Sequence, residues 1–151
     1  MTPPPRVRDE PVGCDQQSEV AFEIAFLAQY DVPVGLLIAA TQAARCGVAA
    51  DQALLGEGFM REEEFYRALA HHLGVPYYCG AIKLAECGDP AEAAWRGIAP
   101  LAVNGLGLRH VVAPRGAAIG LLLRAAVERR LSSIAIASPQ RLGAKIGRAH
   151  V

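Results

Sequence analysis

The chain has no excess of either charge, few aromatic residues and no apolar run long enough to cross a bilayer, and each shortage excludes something. Lys plus Arg and Asp plus Glu number 15 each, so there is no basic surplus of the kind that marks a nucleic-acid partner. Aromatics make up 6%, so helices must close on one another through aliphatic residues and the many alanines. The longest apolar run, Ala117 to Leu123, stops at Arg124 and is too short for a membrane span. Residues 1–18 are proline-rich and polar with no apolar h-region, so no secretory signal is read there. Cys14, Cys46, Cys79 and Cys87 are accordingly read as reduced thiols in a bacterial-type cytoplasm, not as a disulfide framework.

What is present is a hydrophobic content of 52% over 151 residues, enough for one domain or two small ones with a real core. The pattern predicts an α+β fold: a disordered leader over 1–18, a small helical module over 19–79, a connecting segment over 80–94, and a small ββαβα layer over 95–145. In the module, Val20, Ile24, Leu27 and Ala28 share one face of a helix predicted from Glu19 to Gln29. Pro33 sets the first turn of a second helix, with Asp31 or Val32 near its cap. That helix is expected to bury Leu36, Leu37, Ala40 and Ala44 and to stop at Gly47. A short helix from Ala50 to Glu57 presents Leu54 and Leu55.

The clearest helix runs from Arg61 to Leu73. Glu62, Glu63 and Glu64 occupy its first turn, where the helix dipole favours anions. Phe65, Leu69 and Leu73 recur at i, i+4 and i+8 as an apolar stripe. Gly74 and Pro76 end it, and Val75 to Cys79 is expected to leave as a short strand. Beyond the connector, Ile98–Val103 and Leu108–Ala113 read as strands flanking an Asn104-Gly105 turn. Helix is predicted over Ala117–Arg130, strand over Ser133–Ala137, and helix again after Pro139. Trp95, the sole tryptophan, is expected to anchor the junction between the two halves.

No catalytic set emerges. His71 and His72 point about 100° apart on a helix, and Cys79 and Cys87 are not paired at zinc-ligand spacing, so no metal site is expected. Glu62, Glu63 and Glu64 diverge around their helix. Asn104-Gly105-Leu106-Gly107 lacks the endings of a phosphate loop or dinucleotide fingerprint, and Ser132, Ser133 and Ser138 stand outside any nucleophile elbow. Arg124, Arg129 and Arg130 share a mixed charged face with Glu128. Arg115, at the exit of Val111-Val112-Ala113-Pro114, is a candidate anion contact near a helix N-terminus. Arg67 and Arg141 are the other candidate interaction residues. No cofactor is expected.

Three blocks carry a resemblance: Leu54-Leu55-Gly56-Glu57-Gly58, Glu64-Phe65-Tyr66-Arg67-Ala68-Leu69-Ala70, and Leu73-Gly74-Val75-Pro76-Tyr77. Together they resemble the N-terminal domain of type II secretion ATPases, the GspE N-terminal or MshEN-like family. The wording is most similar to the version ahead of family 2 glycosyltransferases, with Gly97-Ile98-Ala99-Pro100-Leu101, Val112-Ala113-Pro114-Arg115-Gly116 and Ser138-Pro139-Gln140-Arg141-Leu142 in support. The resemblance implies a non-catalytic docking or regulatory module whose partner is another protein or a downstream domain of its own chain. Some members bind cyclic di-GMP through Arg-Leu-Gly-x-x-Leu placed before the helical repeat. Here Arg141-Leu142-Gly143-Ala144-Lys145-Ile146 follows the repeat, so that ligand is not expected.

The final residues Ile146-Gly147-Arg148-Ala149-His150-Val151 match the in-frame translation of a common sequencing adapter, ATC-GGA-AGA-GCA-CAC-GTC. The expectation is that the natural frame is cut near Lys145 and that the chain is the front of a larger protein, possessing no span of its own but belonging to a parent anchored in the inner membrane.

Overall fold

The computed structural model describes residues 20–86 and 89–149. Within them the fold is α+β, with seven α-helices and a three-stranded mixed sheet. The leader over 1–18, Cys14, Cys87 and the last two residues lie outside the described residues.

The first predicted helix divides. Helix α1 spans Phe22–Ala25 and tightens into a 3-10 turn over Phe26–Tyr30, closed by Asp31 at φ 63°. Three residues per turn instead of 3.6 rotates the inner face, so Phe26 joins Ile24 and Leu27 inside while Ala28 is exposed. Helix α2, Val34–Ala44, takes Pro33 as its N-cap and buries Leu37 and Ala40, with Leu36 and Ala44 half-buried. Helix α3, Ala50–Gly56, buries Leu54 completely. Helix α4, Glu62–Leu73, carries the predicted stripe of Phe65, Leu69 and Leu73 and widens it with Tyr66 and Ala70. It stops at Gly74, whose φ of 74° is the left-handed conformation a side chain resists.

The strand expected over Val75–Cys79 is not one. Tyr77 makes a single parallel bridge to Ile136, with the Tyr78 N–H donating to the Ile136 carbonyl at 2.7 Å. Residues 80–94 are likewise more than a connector. Leu84 bridges Leu101, and α5, Pro90–Arg96, starts at an Asp89 cap that accepts the Ala91 N–H.

Strands β1 (Ile98–Pro100) and β2 (His110–Val112) pair antiparallel, with Ile98 opposite Val112. Helix α6, Ala117–Val127, then leads to β3 (Ile134–Ile136), parallel to β2, and α7, Pro139–Ala149, follows. The predicted ββαβα order holds, with shorter strands. The hairpin is not a two-residue turn: φ is positive at Gly107, not at Gly105. Instead the Asn104 side chain donates to the carbonyls of Ala102 and Leu108 and accepts the N–H groups of Leu106 and Leu108.

Two buried clusters form, and the first crosses the predicted boundary. Ile24, Leu37, Leu54, Phe65 and Leu69 pack with Ile119 and Leu123 of α6 and Ile136 of β3. The second gathers Tyr78, Leu101, Val111, Leu142 and Ile146, the last being the first residue of the adapter-like tail. Trp95 belongs to neither and is 87% exposed, so it anchors no junction. The seven-residue α5 turns Ala93 inward and leaves the indole in water. Polar contacts join the halves instead: Asp51 accepts the Gly116 N–H through both carboxylate oxygens at 3.1 Å, and the Tyr66 hydroxyl donates to the Pro114 carbonyl at 2.6 Å. No helix among the described residues is long and apolar enough to cross a membrane.

Candidate functional site

The sharpest local chemistry lies where α4, the exit segment 76–80 and the start of α7 meet. Ser138 is buried, and its Oγ accepts the Arg141 N–H at 3.1 Å, capping the first turn of α7. With Pro139 opening the helix, this cap fixes the direction in which Arg141 leaves the backbone. The Arg141 guanidinium donates to Glu63 Oε1 at 2.7 Å and to the Cys79 carbonyl at 3.2 Å. One turn later Lys145 Nζ donates to the Gly80 carbonyl at 3.0 Å. Two cations four residues apart thus hold α7 against the chain leaving α4.

Between these groups lies an open cleft of about 410 Å³, lined by Glu63, Cys79, Gly80, Ser138, Arg141 and Lys145 among others. Arg67, one turn along α4, reaches Glu63 at 3.4 Å. The guanidiniums of Arg67 and Arg141 stand 4.6 and 5.9 Å from the centroid of the Tyr77 ring, within cation–π range. The Tyr77 hydroxyl is buried and has no hydrogen-bond partner among the described residues. Arg141's hydrogen bond holds the Glu63 carboxyl below its ordinary value of 4.5, and the same contact raises Arg141. Three cations face one carboxylate, so the platform is positive in a chain that is neutral overall.

Of the three arginines picked from sequence, Arg67 and Arg141 meet here. Arg115 does not: it is exposed at the turn into α6, beside Gly116, whose N–H is already taken by Asp51. His71 bonds the Tyr30 hydroxyl through Nδ1 at 2.8 Å, His72 lies over Phe26, and Cys79 is exposed. Among the described residues no three His, Cys, Asp or Glu side chains group as a metal site. Glu64 pairs with Arg61 on the helix surface, whereas Glu63, still an exposed first-turn acid, also pairs across the fold. Its partner lies 78 residues away, and no local pattern announces it. Tyr77 and Lys145 were likewise outside the sequence-level candidates. Ser138 had a readable signal, a serine directly before a proline that starts a helix.

Comparison with known proteins finds no matching family model, no matching curated protein and no matching solved structure.

Proposed function

We propose that the chain is a cytoplasmic, non-catalytic docking or regulatory module from the front of a larger bacterial family 2 glycosyltransferase. The observation that carries this reading is the use made of the motif residues. Leu54, Phe65, Leu69 and Leu73 are spent on the core, Gly74 on a helix stop, and Arg67 and Tyr77 on a positive platform beside Glu63 and Arg141. Such a platform suits an acidic segment of a partner or of the chain's own continuation. A partner carboxylate takes the place of Glu63 on Arg141, exchanging one ion pair for another at little net cost.

The experiment is an independent DNA read through codon 145 and beyond, amplified from the source material. A continuing frame with a nucleotide-sugar segment supports the glycosyltransferase parent. A frame carrying Walker motifs supports the same module in a secretion or pilus-assembly ATPase. A genuine stop after Val151 removes both.

One observation favours a second reading, a cyclic di-GMP sensor. Arg141-Leu142-Gly143 follows the helical module in sequence, yet in space Arg141 lies against Glu63 and near the Tyr77 ring, at the mouth of the cleft. Calorimetry with cyclic di-GMP decides it: heat lost in Arg141→Ala supports the sensor, and no heat at high micromolar ligand removes it.

A further inference from the structure

The opposite edge of the α/β half carries a different surface, built at the β1–β2 hairpin. Val103 is fully exposed and Leu106 is 71% exposed. The loop that presents them is held by four hydrogen bonds from one side chain, Asn104. Val127, at the end of α6, is 84% exposed. Holding apolar side chains out in water on an ordered loop gains nothing for folding, since burial is what stabilises them.

Basic side chains outnumber acidic ones around this tip, with Glu128 the acid among them. The Ala102 N–H donates to the Lys83 carbonyl, the Leu101 N–H to the Arg109 carbonyl, and the Arg109 N–H to the Ser133 carbonyl. These contacts bring Lys83, Arg109 and the 129–133 turn to the same end of the sheet as the hairpin. Lys83, Arg109, Arg129 and Arg130 are all exposed. Among the described residues only Arg130 of these four has an ion-pair partner, Glu128.

We propose that this hairpin end is an interfacial docking surface for an anionic lipid bilayer. Val103 and Leu106 enter the headgroup boundary, and Lys83, Arg109 and Arg129 face the acidic headgroups. Charge complementarity commits the surface to this occupant. Each cation near an anionic leaflet raises partition about fivefold, and shallow apolar insertion supplies the rest. A protein partner is the poorer fit, because two apolar side chains on one hairpin loop are a small patch beside the roughly 800 Å² per partner of a stable interface. This surface shares no residue with the Glu63–Arg141 cleft and does not depend on the docking role given to it.

The test is flotation of the full chain with vesicles of phosphatidylglycerol mixed with phosphatidylcholine, against phosphatidylcholine alone. Binding is expected only to the anionic vesicles, and about 1 M salt, with a screening length near 3 Å, should abolish it. Leu106→Asp should lower partition about tenfold or more. Lys83→Gln with Arg109→Gln should lower it about twenty-five-fold. Both variants alter exposed side chains, and an unchanged circular dichroism spectrum verifies folding. Equal binding to neutral vesicles, no binding at low salt, or full binding by Leu106→Asp each overturns the proposal.

Discussion

Asp51 and Gly116 are joined across 65 positions: both oxygens of the fully buried carboxylate accept one backbone N–H at 3.1 Å. A third hydrogen bond comes from Gln52 Nε2. The contact ties α3 to the first turn of α6, where the dipole also favours a negative charge. Asp51→Ala leaves the half-buried Gly116 N–H and the Gln52 amide without their acceptor and should cost about 2–3 kcal/mol. Asp51→Asn, which keeps one acceptor, should cost less. Urea midpoints of the two variants, read at equal slope, check the order.

Tyr66 provides the second stitch, through its hydroxyl to Pro114. Tyr66→Phe keeps the ring and strands the carbonyl, an expected loss of about 1–2 kcal/mol. Burial pushes the Tyr66 phenol well above its ordinary value of 10, with the nearby Asp51 charge adding to it. The folded state therefore holds this proton more tightly than the unfolded one. That contribution is complete below pH 10 and is lost as pH rises above it. Ultraviolet titration should show tyrosine that does not ionise before the chain unfolds, and Tyr66→Phe should show one such residue fewer.

Glu63 behaves in the opposite sense. Its carboxyl is held below 4.5 by Arg141, so the folded state binds its proton less readily than the unfolded chain does. The resulting stability is present above pH 4.5 and disappears as pH falls through the depressed value. Glu63→Gln should flatten the acid limb of the stability curve while changing little at neutral pH, where exposed pairs count for little. A carboxyl titration followed by NMR should find Glu63 below 4.5 in the parent and moved upward in Arg141→Ala.

Gly97 tolerates no side chain. Its φ is 70°, and a Cβ would sit 2.5 Å from the Ala113 carbonyl oxygen. That carbonyl belongs to the segment whose N–H donates back to Gly97. Gly97→Ala should cost about 1–3 kcal/mol from backbone strain alone, and more if the strands separate. Hydrogen exchange at Ala113 should quicken accordingly. Gly105→Ala, with open space around the glycine and no positive φ, is the matched control and should be nearly silent.

The local physics of the fold was legible where one element decides its own state. Helix α4 declares itself through its acidic first turn, its stripe and its terminal glycine, and the ββαβα order follows from alternating runs and breaks. What sequence could not give are relations between distant residues. Asp51 looks like any first-turn acid until Gly116 is brought to it, and Glu63 looks like a purely local surface acid until Arg141 arrives from 78 residues away. The strand expected at Val75–Cys79 has strand composition but meets only one partner position on β3. Trp95 failed for a geometric reason, because one small residue, Ala93, satisfies the inner face of so short a helix. Arg67 and Arg141 were picked for motif and charge, and their meeting at Tyr77 could not be foreseen from spacing.

The bridges at Tyr77 and Leu84 have a bearing on self-association. A three-stranded sheet ordinarily leaves two rows of unpaired amides that another chain can extend. Here the segment leaving α4 bridges β3 at Tyr77, and the segment after it bridges the residue beyond β1 through Leu84, so each outer strand meets a neighbour from its own chain at one position. Cutting the chain near Gly80 and keeping only the α/β half would remove Tyr77 from β3 and uncover Ile119, Leu123 and Ile136 at once. The isolated half would then present an open ladder beside bare apolar surface, the combination that starts aggregation.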